Sequence, residues 1–186
     1  MKQQHKQSYH GRRITALGSV KALTASALLA AASFLLAYIA KSIFGTGYIR
    51  ITVECLPIFL GSFLFGPLAG GLIAVAADLL SCLQAGMTPN LIVAAGAALI
   101  GVMGGFLYRF PLRSQKQRLR VILTVFLSHA VGSMLIKSYG LFLYFGWAVL
   151  WRIPVYVGIA AVESLVLIAL TENKPLMRQI EKVIQP

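Results

Sequence analysis

The sequence predicts an all-α integral membrane protein of six transmembrane helices, with both termini cytoplasmic. Three observations carry this. The 186-residue chain is 58% hydrophobic and only 12% charged, against roughly 25% charged residues in a water-soluble domain. It divides into six apolar runs, each near the roughly 20 residues that a membrane helix needs. Its cations gather on one side of the membrane as the runs are followed.

The first run, Val20–Phe44, follows a polar, basic start and is too long for a signal peptide, so it is a retained span. The second and third, Tyr48–Phe65 and Leu68–Leu83, are separated only by Gly66-Pro67, a pair that cannot continue a helix and suits a tight reversal. Leu91–Tyr108, Leu119–Tyr139 and Trp147–Leu170 complete the set. The expected organisation is a cytoplasmic tail over residues 1–19, one membrane domain over 20–172 and a second cytoplasmic tail over 173–186. Shorter spans imply tilt or burial in protein.

Charge sets the orientation. Lys2, Lys6, Arg12, Arg13 and Lys21 precede or open the first span, Arg109, Arg113, Lys116, Arg118 and Arg120 join the fourth to the fifth, and Lys174, Arg178 and Lys182 follow the sixth. Only Lys41, Arg50, Lys137 and Arg152 fall toward the other side. The basic side is cytoplasmic. The formal charge of +12 is therefore a topology signal and does not point to nucleic acid. Cys55 and Cys82 lie inside apolar runs without metal-ligand spacing and read as small buried hydrophobes. A nucleophile elbow, a zinc-binding His pair and a phosphate-cradling loop are all missing from the sequence, so no enzymatic activity, metal or cofactor is expected.

Ionisable groups at membrane depth are costly and mark functional sites. Counting from the Gly66-Pro67 reversal, Glu54 lies roughly 18 Å up the second helix and Asp78 roughly 16 Å up the third, while His129 lies roughly 15 Å up the fifth. Lys137, Arg152, Arg50 and Lys41 fall higher, at roughly 24–31 Å. The reading is a polar cavity with Glu54 and Asp78 at its floor, cations and aromatic rings toward an outer mouth, and Asn90 at the outer third connection. Plainer roles stand beside it. Arg50 and Glu54 are four apart and can pair with each other. Lysines can snorkel, outer Tyr and Trp can form an interfacial belt, and His129 and Glu163 can be hydrogen-bonded bundle residues. Ala27/Ala31, Gly66/Gly70 and Gly101/Gly105 have the small-residue spacing that lets helices approach closely, inside this bundle or against another subunit.

Arg50-Ile51-Thr52-Val53-Glu54-Cys55-Leu56-Pro57, Gly61, Phe65-Gly66-Pro67 and Ala77-Asp78-Leu79 resemble the substrate-binding S components of energy-coupling factor (ECF) vitamin transporters. Ser128-His129, Gly132-Ser133-Met134, Ile136-Lys137-Ser138, Arg152-Ile153-Pro154 and Glu163 are similar to the folate-type group, and the likeness runs from about Ala22 to Leu170. The chain departs from the pattern at Ala74 and Ser81, where glycine is common, and in the order of Thr88-Pro89-Asn90.

The resemblance implies an S-component-like bundle in a prokaryotic plasma membrane. It implies a high-affinity binder of folate or a related vitamin that works with a transmembrane coupling subunit and two ATPase subunits. Ala27-Leu28-Leu29-Ala30-Ala31 matches the motif that contacts the coupling subunit, and Gly45–Tyr48 would belong to an outer gate. The substrate-binding set implied is Glu54, Asp78, Arg50, Asn90, His129, Lys137 and Arg152, a carboxylate taking the amino-pyrimidine edge and a cation the anionic tail.

Overall fold

A computed structural model describes residues 20–44 and 53–184. The described residues are mostly helical, with no strand among them. In order come α1 (Val20–Phe44), α2 (Cys55–Phe65), α3 (Pro67–Gln84), α4 (Leu91–Arg109) and α5 (Gln117–His129). Helix α5 runs on through a π-helical segment, Ala130–Lys137, into α6 (Ser138–Phe145). A 3₁₀ segment, Gly146–Trp151, then leads to α7 (Arg152–Glu172) and α8 (Lys174–Ile184). Arg50 and the segment 45–48 lie outside the described residues.

Four helical stretches among the described residues are long and apolar enough to cross a membrane: Val20–Ile43, Pro67–Gln84, Leu91–Arg109 and the run Gln117–Glu172. That run holds two legs, because α5 packs against α7 and the chain reverses at Gly146, whose φ of 58° is left-handed. The reversal falls at the last residue of the expected connection. The sequence placed the fifth-to-sixth connection between Tyr139 and Trp147, but the apolar stretch Leu141-Phe142-Leu143-Tyr144 continues as helix to Phe145, and the glycine capable of positive φ sets the turn.

Helix α2 is also shorter in its described part than the expected span. Pro57 has no N–H, so it is tolerated only in a first turn, and the helix starts two residues before it. Val53 O accepts from Leu56 N at 3.1 Å instead of from position 57.

At the other end of α2 the chain reverses in one residue. Gly66, φ 103°, separates α2 from α3, and Pro67 opens α3. Helices α3 and α4 meet backbone to backbone. A methyl group on Gly101 would strike the Gly70 carbonyl, and one on Gly105 would meet Pro67 backbone at 2.5 Å. Ser62 Oγ donates to Gly101 O at 2.9 Å and to Ile58 O at 2.7 Å, tying α2 to this contact. The Gly66/Gly70 and Gly101/Gly105 spacings therefore serve packing inside the bundle.

Large apolar side chains face outward, among them Leu28, Leu72, Leu91, Leu135 and Leu165. The buried centre holds small residues with Phe59, Ile73, Ile100 and Leu167. The chain after Asn173 was read as a tail. It forms α8, whose Ile180 packs against Ala22, Phe65 and Ala69. Leu176, Met177 and Ile180 recur at helical spacing, which is the signal for it.

Candidate functional site

A cavity of about 330 Å³, counting its open mouth, is lined by Ser33, Glu54, Asp78, Ser81 and Lys137 among small and aliphatic residues. Its interior in this conformation has room for water-sized occupants. Helix α1 supplies Ser33, α3 supplies Asp78 and Ser81, the π segment supplies Lys137, and Glu54 stands just before α2. The short hairpin at Gly66 places the ends of α2 and α3 side by side, so both carboxylates reach one void. Two carboxylates and one ammonium give the lining a formal charge of −1.

Lys137 departs from its expected place. It was read as sitting well above the carboxylates, but it lines the same cavity, within coulombic range of both Glu54 and Asp78. The π segment winds with wider i→i+5 turns, which shifts the register on which that height was counted, and the two acids attract the ammonium. Gly96 makes room on α4: a methyl group there would lie 2.7 Å from Lys137 Cγ and 2.9 Å from Gly132 O.

The other candidates are not among the residues that line the cavity. Arg152, read as an outer cation, is buried at 5% exposure. It donates to Tyr156 Oη at 2.8 Å, and its Nε has no hydrogen-bond partner among the described residues. Asn90 caps α4, accepting from Ile92 N at 2.9 Å and Val93 N at 3.3 Å, and it donates to Gly140 O at 3.3 Å. Ala27 and Ala31 lie on the exposed side of α1, while Ala22, Ala30, Ser33 and Ala37 face inward.

His129 is absent from the cavity wall. It is fully buried, Nε2 donating to Glu163 Oε2 at 2.7 Å and Nδ1 pairing with Ser133 Oγ at 3.0 Å. Glu163 Oε1 accepts from Cys55 N at 3.2 Å. A carboxylate at a buried helix N-terminus satisfies an otherwise orphaned N–H and opposes the positive end of the dipole. Cys55 Sγ, an imidazole nitrogen and a carboxylate oxygen lie within 4.8 Å of one another, donors of the kind zinc takes. Both ring nitrogens and both carboxylate oxygens already have hydrogen-bond partners, so the group is complete without an ion. Sequence reading left Glu163 outside the site. The available signal was an acid and a histidine at similar heights on two apolar spans.

A bundle with an apolar exterior and a charged cavity among its helices is the architecture of a membrane-embedded binder of small polar molecules. A model of the ECF transporter substrate-specific component family matches residues 21–174. The chain belongs to that family, whose members are multi-pass membrane transport subunits and not catalytic enzymes, working with a module of a coupling subunit and ATPases. No curated protein matches the chain in sequence.

Proposed function

We propose that this chain is the high-affinity substrate-binding subunit for folate uptake across the cell membrane, with six spans and both termini cytoplasmic. The observation that carries the reading is the grouping of Glu54, Asp78 and Lys137 on one cavity inside an apolar bundle. Carboxylates accept from the amino-pyrimidine edge of a pterin. Arg152 suits the anionic tail: it is a buried guanidinium with one hydroxyl partner and an unused Nε. The void is narrower than a pterin, so binding displaces wall side chains, and the flexible Lys137 is the first to move. Another vitamin with a donor-rich ring would meet the same wall, and a panel of such compounds separates it from folate.

Substrate release inward is driven by two ATPases through a coupling subunit that docks on α1. The exposed, small Ala27 and Ala31 support that docking face. Ala27→Leu and Ala31→Leu are expected to abolish co-purification with the module while leaving folate affinity within about twofold, a change too small for a lost contact.

The test of the substrate is purification of the protein followed by identification of whatever small molecule remains bound. A pterin absorbance is the expected result. Folate titration of Glu54→Gln and Arg152→Ala then tests the site, and unchanged affinity in both removes the assignment.

A further inference from the structure

Glu54 is held from both sides by residues of other helices. On one side, Ser33 Oγ of α1 donates to the Glu54 carbonyl at 2.7 Å. On the other, the next peptide N–H, that of Cys55, donates to Glu163 of α7 at 3.2 Å. Glu163 is in turn fixed by His129 of α5 at 2.7 Å. The other face of His129 holds Ser133 at 3.0 Å, inside the π segment that ends in Lys137. Ser138 Oγ donates back to Ser133 O at 3.1 Å across that segment. Phe59 and Tyr156 pack around the imidazole, with ring centroids at 5.6 and 6.0 Å.

One buried chain of hydrogen bonds thus runs from the backbone of one cavity charge to the helix segment that carries another. We propose that the Glu163–His129 pair, with Ser33, is the positioning device of the ligand site, setting Glu54 through its backbone and Lys137 through Ser133. His129 and Glu163 then act without touching the ligand, and this rests on the reading of the cavity as the ligand site. Groups held through a supporting shell of this kind lose ligand affinity when the support is removed.

The design separates placement from charge. Gln at position 163 still accepts from Cys55 N through its carbonyl and still meets His129 through its amide, whereas Ala does neither. The measurements are calorimetric titration of the purified, detergent-solubilised full chain with folic acid, and hydrogen exchange of the peptide covering 53–60. Glu163→Ala and Ser33→Ala are expected to weaken folic acid binding about tenfold or more, as for loss of a buried hydrogen bond to a charged or backbone group. Glu163→Gln should stay within about threefold of the parent. Exchange at Val53–Leu56 should rise in Glu163→Ala and remain near the parent level in Glu163→Gln.

Unchanged affinity in Glu163→Ala overturns the proposal, and so does equal loss in Glu163→Gln and Glu163→Ala. If Glu163→Ala does not fold, Ser33→Ala decides by the same two readouts. If the parent binds no folic acid, the folate reading fails by itself. The positioning device then stands on faster exchange at Val53–Leu56 in the variants and falls on unchanged exchange.

Discussion

The two ends of the α2–α3 pair carry charge in opposite ways. At the hairpin end, Arg109 donates to the carbonyls of Phe63 and Leu64 at 3.2 and 2.7 Å, filling acceptors that the end of a helix leaves unbonded. Tyr108 stacks on Phe63 with centroids 3.9 Å apart. Arg120 lies 3.6 Å above the Tyr108 ring and donates to Tyr108 O at 2.6 Å, and Gln117 reaches the phenol oxygen at 2.8 Å. Arg109, Arg120 and Gln117 are thus matched to backbone, ring and hydroxyl. At the far end, Glu54 and Asp78 face a void. Charge at the first end fixes shape, and charge at the second lines a cavity that the proposed function assigns to a ligand. On the proposed function, the same pair of helices is a rigid joint at one end and a receptor at the other.

That contrast predicts a double dissociation. The largest effect is on Asp78→Asn, which should weaken folate binding about a hundredfold while shifting thermal unfolding little, since a charged hydrogen bond to ligand is lost while Lys137 keeps Glu54 beside it. Calorimetry beside a melting curve checks both halves. A fall in melting temperature with intact affinity would reverse the roles of the two ends.

Next in size is Gly101→Ala. Its new methyl meets α3 backbone, which cannot rotate away, and the expected loss is about 1–3 kcal/mol of stability. Gly158→Ala is the matched control, since nothing lies within 4 Å of its added carbon, and it should be neutral or slightly stabilising. Smaller again, Arg109→Ala should cost about 1–2 kcal/mol for the carbonyls it leaves bare, with folate affinity retained. If Arg109→Ala instead abolishes binding at full stability, the joint and the receptor are not separable.

Much of this contrast is legible in the sequence, and the part that is not has a physical reason. Gly66-Pro67 announces its turn because only those two residues combine a free φ with a missing N–H. Once the turn is placed, constant helical rise puts Glu54 and Asp78 at one height by counting. Lys137 breaks the counting, because the π segment changes residues per turn and no simple periodicity marks it. The Glu163–His129 contact spans 34 positions, and only tertiary packing decides which buried acid meets which base. Arg152 was placed at the rim by its height, but a bond to Tyr156 one turn on draws it inward. The Gly146 turn lies inside the connection read between Tyr139 and Trp147, and only its exact position is hidden by an aromatic stretch that reads equally well as belt or helix.

The eight residues Ala130–Lys137 have one further consequence. A wide-gauge stretch inside a longer helix accommodates an additional residue without a loop. Removing one residue there would restore the ordinary winding and present a different neighbour to the wall where Lys137 now sits, with the rest of the scaffold unaltered. On the proposed reading of the cavity, a single-codon deletion thus alters the ligand wall while the small-residue face of the first helix is kept.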